Sequence, residues 1–222
     1  MGVSLMGDEM IGKAIRTRGR PRREEVENID RRLADAALSM VLRHGSAVTM
    51  NAIVEASGLS RKTVYARHAN KSALLLAVIR HLLDFDHEPL VIGETEAWQE
   101  DLYQFIAASL KEICQPQAMA LRRLLMADPA YIDEVRPRIE MIVVRRYLDP
   151  LATFFDRLIA RGEMPAQDVG RPAEALTNLI LAESHKHYFL RDRDIEPTLL
   201  VSHARYLTEL FCHGIIGKGL AR

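Results

Sequence analysis

Ser60, Arg61, Lys62, Thr63 and Tyr65 crowd hydroxyls and cations into six consecutive positions of the chain. As a helix this stretch spans only about 10 Å, at roughly 1.5 Å rise per residue. Arg61 and Tyr65 stand four apart and share one helix face, with Lys62 one step round from Arg61. That chemistry suits nucleic acid. Arg61 or Lys62 fits the O6 and N7 acceptors of guanine, and Thr63 fits a thymine methyl or a phosphate oxygen. A cation-rich helix face is also an ordinary way to meet water, so the flanking residues decide between the two.

The flanks read TMNAIVEASGLSRKTVYARHANKSAL from Thr49 to Leu74. Ala52, Ile53 and Ala56 recur at helical spacing, and Gly58 permits the backbone conformation of a tight helix-to-helix turn. Leu59 plugs the turn, Ser60 caps the second helix, and Val64 faces inward. Two short helices around such a turn form a helix-turn-helix, whose second helix enters a DNA major groove. The pattern Thr49, Ile53, Gly58-Leu59-Ser60, Thr63-Val64-Tyr65, Lys71 and Leu74 resembles the DNA-binding domain of the tetracycline-repressor (TetR) family, over roughly residues 24 to 83. The resemblance implies that Thr63, Tyr65 and Lys71 bond backbone phosphates, together with the helix N-terminus marked by Thr49. Such contacts position the protein and carry little sequence information. The chain departs from the family in two places: Arg67-His68 stands where His-Phe or Tyr-Phe is usual, and Ser72 replaces a Glu. His68 therefore takes an aromatic packing position and is expected to be half-buried.

Ahead of this motif, Arg18-Gly19-Arg20-Pro21-Arg22 is a basic arm. Arg20 and Arg22 are expected to add affinity for DNA, by general attraction or by entering a narrow A·T minor groove. The formal net charge of the 222 residues is 0, but the distribution is uneven. Residues 1–80 carry 14 Lys/Arg against 8 Asp/Glu, leaving 16 against 22 for the rest. A basic head on an acidic body fits one end approaching phosphates while the other carries out something else.

Other chemistries find little support. His185 and His187 lie two apart on a helical pattern, so their side chains point about 200° apart and cannot share a metal. His81 and His87, near Asp84 and Asp86, read as a solvated cluster. No Gly-rich phosphate loop, zinc-spaced cysteine set or nucleophile elbow occurs, so no catalytic group, metal or cofactor is expected. Cys114 and Cys212 sit far apart inside helical patterns, as core fillers in a reducing cytoplasm. The longest apolar run, Ala73 to Ile79, is too short for a bilayer, and the expectation is a cytoplasmic protein with no membrane partner.

These groups must be held by helices, because Pro and Gly fall between segments of helical period and no alternating strand pattern of useful length appears. The reading is all-α: a flexible arm over 1–20, a DNA-binding domain over 21–85 and a helical body over 86–222. Helices are expected at 23–44, 49–56, 60–67, 71–85, 97–114, 117–127, 130–161, 168–190 and 195–216, the long one open to breaks at Pro137 and Pro150. That makes a three-helix head joined by a fourth helix to a five-helix body.

The family resemblance implies that the body binds a small-molecule effector. Candidate lining residues are Trp98, Phe105, Met119, Met126, Tyr147 and Phe154, although such groups are more often plain core. In the last two helices Leu176, Leu179, Ile180, Leu207, Leu210 and Phe211 cover a wide apolar arc, as expected of a homodimer interface across a two-fold axis. The chain is thus expected to be a ligand-responsive repressor of a palindromic double-stranded operator. A constitutive DNA-binding or scaffold protein, and a helical enzyme with an incidental basic motif, are the alternatives.

Overall fold

A computed structural model describes residues 23–84, 90–190 and 196–214. The elements are α1 (Arg23–His44), a 3-10 turn (Gly45–Ala47), α2 (Met50–Ser57), α3 (Arg61–Arg67), α4 (Lys71–Leu83), α5 (Trp98–Ile113), α6 (Pro116–Ala127), α7 (Pro129–Val143), a π turn (Val144–Leu148), α8 (Asp149–Ala160), α9 (Gly170–Leu190) and α10 (Pro197–Gly214). The fold is all-α, with no strand among the described residues. Arg20, Arg22, Phe85 and His87 lie outside them.

Two apolar clusters organise the helices. In the first, Leu33, Ala37 and Val41 of α1 meet Ile53 and Val54 of α2, Val64 of α3, and Leu74, Leu75, Val78, Ile79, Leu82 and Leu83 of α4. The period of α4 explains its place, since a helix apolar nearly all round needs more than one partner face. It has them: α1 on one side, and α6 and α7 on another. Ala120 and Leu124 of α6, with Tyr131 and Val135 of α7, complete this cluster. The second cluster joins α5, α8, α9 and α10 around Phe105, Phe155 and Phe211.

Two sequence expectations change. On α2 the inward residues are Ile53, Val54 and Ser57, whereas Ala56 is exposed. Beyond α4 there are six helices rather than five, because the 130–161 segment divides. Pro137 does not break it. That proline is exposed within α7, where the carbonyl it leaves unbonded on Asp133 can turn to water. The division comes ahead of Pro150, which has no N–H to donate to the carbonyl four residues back. The chain widens there instead, and the Asp149 N–H bonds the Val144 carbonyl five residues back. The extra residue in that turn lets adjacent Arg146 and Tyr147 both face inward, where both are buried.

Candidate nucleic-acid interface

Local bonds build the helix-turn-helix. Thr49 caps α2 by accepting from the Ala52 N–H at 3.2 Å. Gly58 closes the helix in the left-handed region at φ 63°, where a side chain would be strained. The Ser57 hydroxyl donates to the Val54 carbonyl at 2.9 Å and accepts from the Leu59 N–H at 3.2 Å, so the buried turn is satisfied. Ser60 caps α3 through the Thr63 N–H at 3.0 Å, and the two hydroxyls bond each other at 2.8 Å. The hydroxyls of Ser60 and Thr63 are thus engaged in shaping the helix. One hydroxyl proton of the pair is left free to donate to an outside acceptor.

With Val64 fully buried, α3 turns Arg61, Lys62 and Tyr65 outward, and Tyr65 stands 46% exposed. Three long-range ties hold this face at a fixed angle. Arg32 of α1 donates to the Ser57 carbonyl at 3.2 Å. Arg67 at the end of α3 pairs with Asp30 of α1 at 2.5 Å. Lys71 donates to the Ser46 carbonyl at 2.5 Å, clasping the start of α4 to the turn after α1. Arg32, Asp30 and Ser46 escaped the sequence reading, since their partners are 25 or 37 residues away and no local spacing marks them. Arg67 is likewise a strut in place of a family aromatic. Beside it His68 is partly buried, and burial lowers its pKa, with Asp30 raising it and Arg67 adding a smaller depression. A neutral imidazole at pH 7 supplies no charge to a phosphate.

The far end of α4 is fastened to α7. Arg80 pairs with Glu134 at 3.0 Å, while Arg138 reaches Asp84 at 3.6 Å and donates to the Leu83 carbonyl at 3.3 Å. The helix that starts at the Lys71 clasp therefore ends on the body.

In the body, the six residues expected around a pocket separate. Phe105, Tyr147 and Phe154 fill the second cluster, and burial pushes the Tyr147 phenol up to about 12, so it stays protonated. Met119 is buried on α6, whereas Met126 is 45% exposed. Trp98 borders a cleft of about 620 Å³. Arg146 is a core ion-pair member, held by Glu112 of α5.

The proposed interface residues also divide. Leu176, Ile180, Leu207 and Phe211 are consumed by the chain's own core and offer nothing to a second copy. Leu179 and Leu210 face solvent, joined by Leu199 and Tyr206 of α10, which sit seven apart on the face that Leu210 continues. Glu183 is buried between Lys186 at 3.1 Å and His203 at 3.3 Å. Among the described residues no group of His, Cys, Asp or Glu could hold a metal ion, and no helix is long and apolar enough to cross a membrane.

Residues 33–78 match the model of the bacterial regulatory proteins of the tetR family, and residues 100–212 match the C-terminal domain of AefR-like transcriptional repressors. A TetR transcriptional regulator from Agrobacterium tumefaciens superposes with a TM-score of 0.68 at 16% identity, over 86% of this chain and 100% of that one. A Mesorhizobium loti structure assigned to the same family gives 0.65 at 21% identity, over 83% and 95%. The transcriptional regulator FadR from Bacillus subtilis, in complex with stearoyl-CoA, gives 0.57 at 19% identity, over 83% and 98%. No curated protein sequence matches the chain. Likeness at such identities establishes a shared fold.

Proposed function

The chain belongs to the TetR family of bacterial transcriptional regulators, and from that premise we propose that it is a repressor. It holds a palindromic operator as a homodimer and releases it when a small molecule occupies the body. The observation that carries this reading is the state of α3: seven residues capped by Ser60, strutted through Arg67 to α1, with Arg61, Lys62 and Tyr65 left in solvent. A helix held rigidly at its base and unpartnered on its polar face is suited to a major groove. Arg61 and Lys62 read bases. Tyr65, Thr63, Thr49 and Lys71 hold phosphates, and Arg20 and Arg22 add affinity from the arm.

The exposed Leu179, Leu199, Tyr206 and Leu210 are the apolar surface that a second copy would cover. The switch is α4. A ligand that favours a tilted α4, pulled through Arg80, Asp84 and Leu83 against α7, moves the two recognition helices off the half-site spacing.

Selection of bound fragments from random DNA tests the reading. An imperfect palindrome is expected, with half-sites about 34–36 Å apart, or more if two dimers overlap. Leu179→Asp combined with Leu210→Asp should give monomers that lose the palindrome. A wild-type chain that sediments as a monomer at micromolar concentration and still binds its operator defeats the dimer. Control by a ligand requires that operator weaken ligand binding by the factor that ligand weakens operator binding, typically about 1–3 kcal/mol.

A further inference from the structure

At one end of the body, a cleft of about 620 Å³ opens between the first turn of α5, the loop after α8 and the last turns of α10. That volume suits a drug-sized molecule. Its inner surface is apolar or spent: Trp98 and Met164 are buried, and the buried Thr208 hydroxyl donates to the Ala204 carbonyl at 2.9 Å. Cys212 is half-buried, and burial together with Glu209 raises its pKa, so it presents a neutral, polarisable thiol.

The charge on the rim comes from carboxylates. Glu163 and Glu209 are both exposed on the lining, beside Gln99 and His213, and no Lys or Arg among the described residues lines the cleft. The described cations nearest in sequence are committed elsewhere. Arg161 donates to the Thr95 carbonyl at 2.9 Å and the Glu94 carbonyl at 3.4 Å, and Arg205 lies 5.3 Å from the centre of the Tyr103 ring. A cleft lined by an indole and two carboxylates, with no Lys or Arg among its described lining residues, attracts positive charge by ring quadrupole and by Coulomb terms together. The same arrangement repels an anion of equal size.

We propose that this cleft binds a lipophilic organic cation, a quaternary ammonium or phosphonium carrying aromatic or alkyl groups. The apolar groups lie against Trp98 and Met164, and the charge faces Glu163 and Glu209. As an effector site it rests on the reading of the body as a ligand-binding domain; as a binding site it stands by itself.

Trp98 is the single tryptophan of the 222-residue chain, so its fluorescence reports directly from the cleft wall. Tetraphenylphosphonium titrated into the full-length protein should quench it saturably. Tetraphenylborate, with the same shape and the opposite charge, should bind at least about tenfold more weakly. Glu163→Gln combined with Glu209→Gln should weaken the cation about tenfold and erase most of the preference between the two ions. Both glutamates are exposed, and an unchanged helical melting curve will show that the fold survives. Trp98→Phe, followed by calorimetry, should weaken the cation severalfold.

Absence of saturable quenching overturns the site, as does equal binding of the two ions or indifference to the double substitution. Operator affinity is measured separately with and without the phosphonium. Quenching without operator release upholds the cleft and removes only its role as effector site. Operator binding with no quenching upholds the regulator and removes the cleft.

Discussion

The recognition helix and the last two helices both carry side chains into solvent, but they are held there by different means. On α3 the exposed face is set within a few residues: Ser60 caps, Val64 anchors, and Arg61, Lys62 and Tyr65 have no other direction to point. On α9 and α10 both arcs of each helix hold apolar residues, and the inner arc is decided by α5 and α8 from far along the chain. Short-range bonds make the choice of exposed residues readable, while the angle of the helix still depends on its long-range ties to α1 and the turn after it. Long-range packing makes an exposed face sensitive to substitutions that never touch it.

The largest expected effect lies in the body. Phe105→Ala removes a fully buried ring and should cost about 3–5 kcal/mol, read from denaturant unfolding followed by Trp98 fluorescence. Protein that remains folded should keep its ranking of operator variants. A changed ranking would break the contrast, because it would tie the local face of α3 to distant packing.

Next comes the core ion pair. Glu112→Ala leaves Arg146 buried without its carboxylate and should cost roughly 3 kcal/mol, near the low end because the Glu112 side chain is 28% exposed. Thermal melts of Glu112→Ala and Glu112→Gln will separate lost charge from lost packing. A loss under 1 kcal/mol would mean that the pair is screened like a surface bridge.

In the head, Arg61→Ala or Lys62→Ala should relax preference at one base position by roughly 1–3 kcal/mol while leaving the melting curve unmoved. If neither variant reorders a panel of operator variants, these residues do not read bases. Ser60→Ala should cost about 1 kcal/mol of stability and weaken every operator together, while Ser60→Gly should cost only a few tenths. Smallest of all, Lys71→Ala should lower the slope of affinity against salt by about one unit. Should the slope stay and stability fall instead, the ammonium serves only as the clasp on Ser46.

What the sequence reveals follows the same division. Ser60 is a cap recognisable from a hydroxyl three residues before the N–H it accepts from, and it forms, as do the like-spaced caps of Thr49 and Asn70. Gly58 is similarly betrayed by the turn around it. The Arg32, Arg67 and Lys71 ties were not legible, because a cation carries no mark of the carbonyl or carboxylate it will meet 25 or 37 residues away. Nor was the π turn: Pro150 announces a disturbance, but not whether the helix ends or widens. Leu176 and Leu179 differ by three positions and have opposite fates, buried and exposed, which only the placement of α5 and α8 decides. The cleft at Trp98 joins three chain segments far apart in sequence, so its Glu163 and Glu209 look like ordinary surface charge until the helices are in place.

The sharing of Ala120, Leu124, Tyr131 and Val135 with the head has a consequence for anyone recombining such proteins. A chimaera spliced after Asp84 would transplant the proposed operator-reading helix, yet set the apolar residues of α4 against a foreign α6 and α7. Specificity would travel with the donor segment; folding would depend on whether the host offers the same four apolar shapes. The heritable unit of recognition is accordingly a discontinuous one, α1 to α4 with α6 and α7, and substitutions on either side of the splice are expected to arise in compensating pairs.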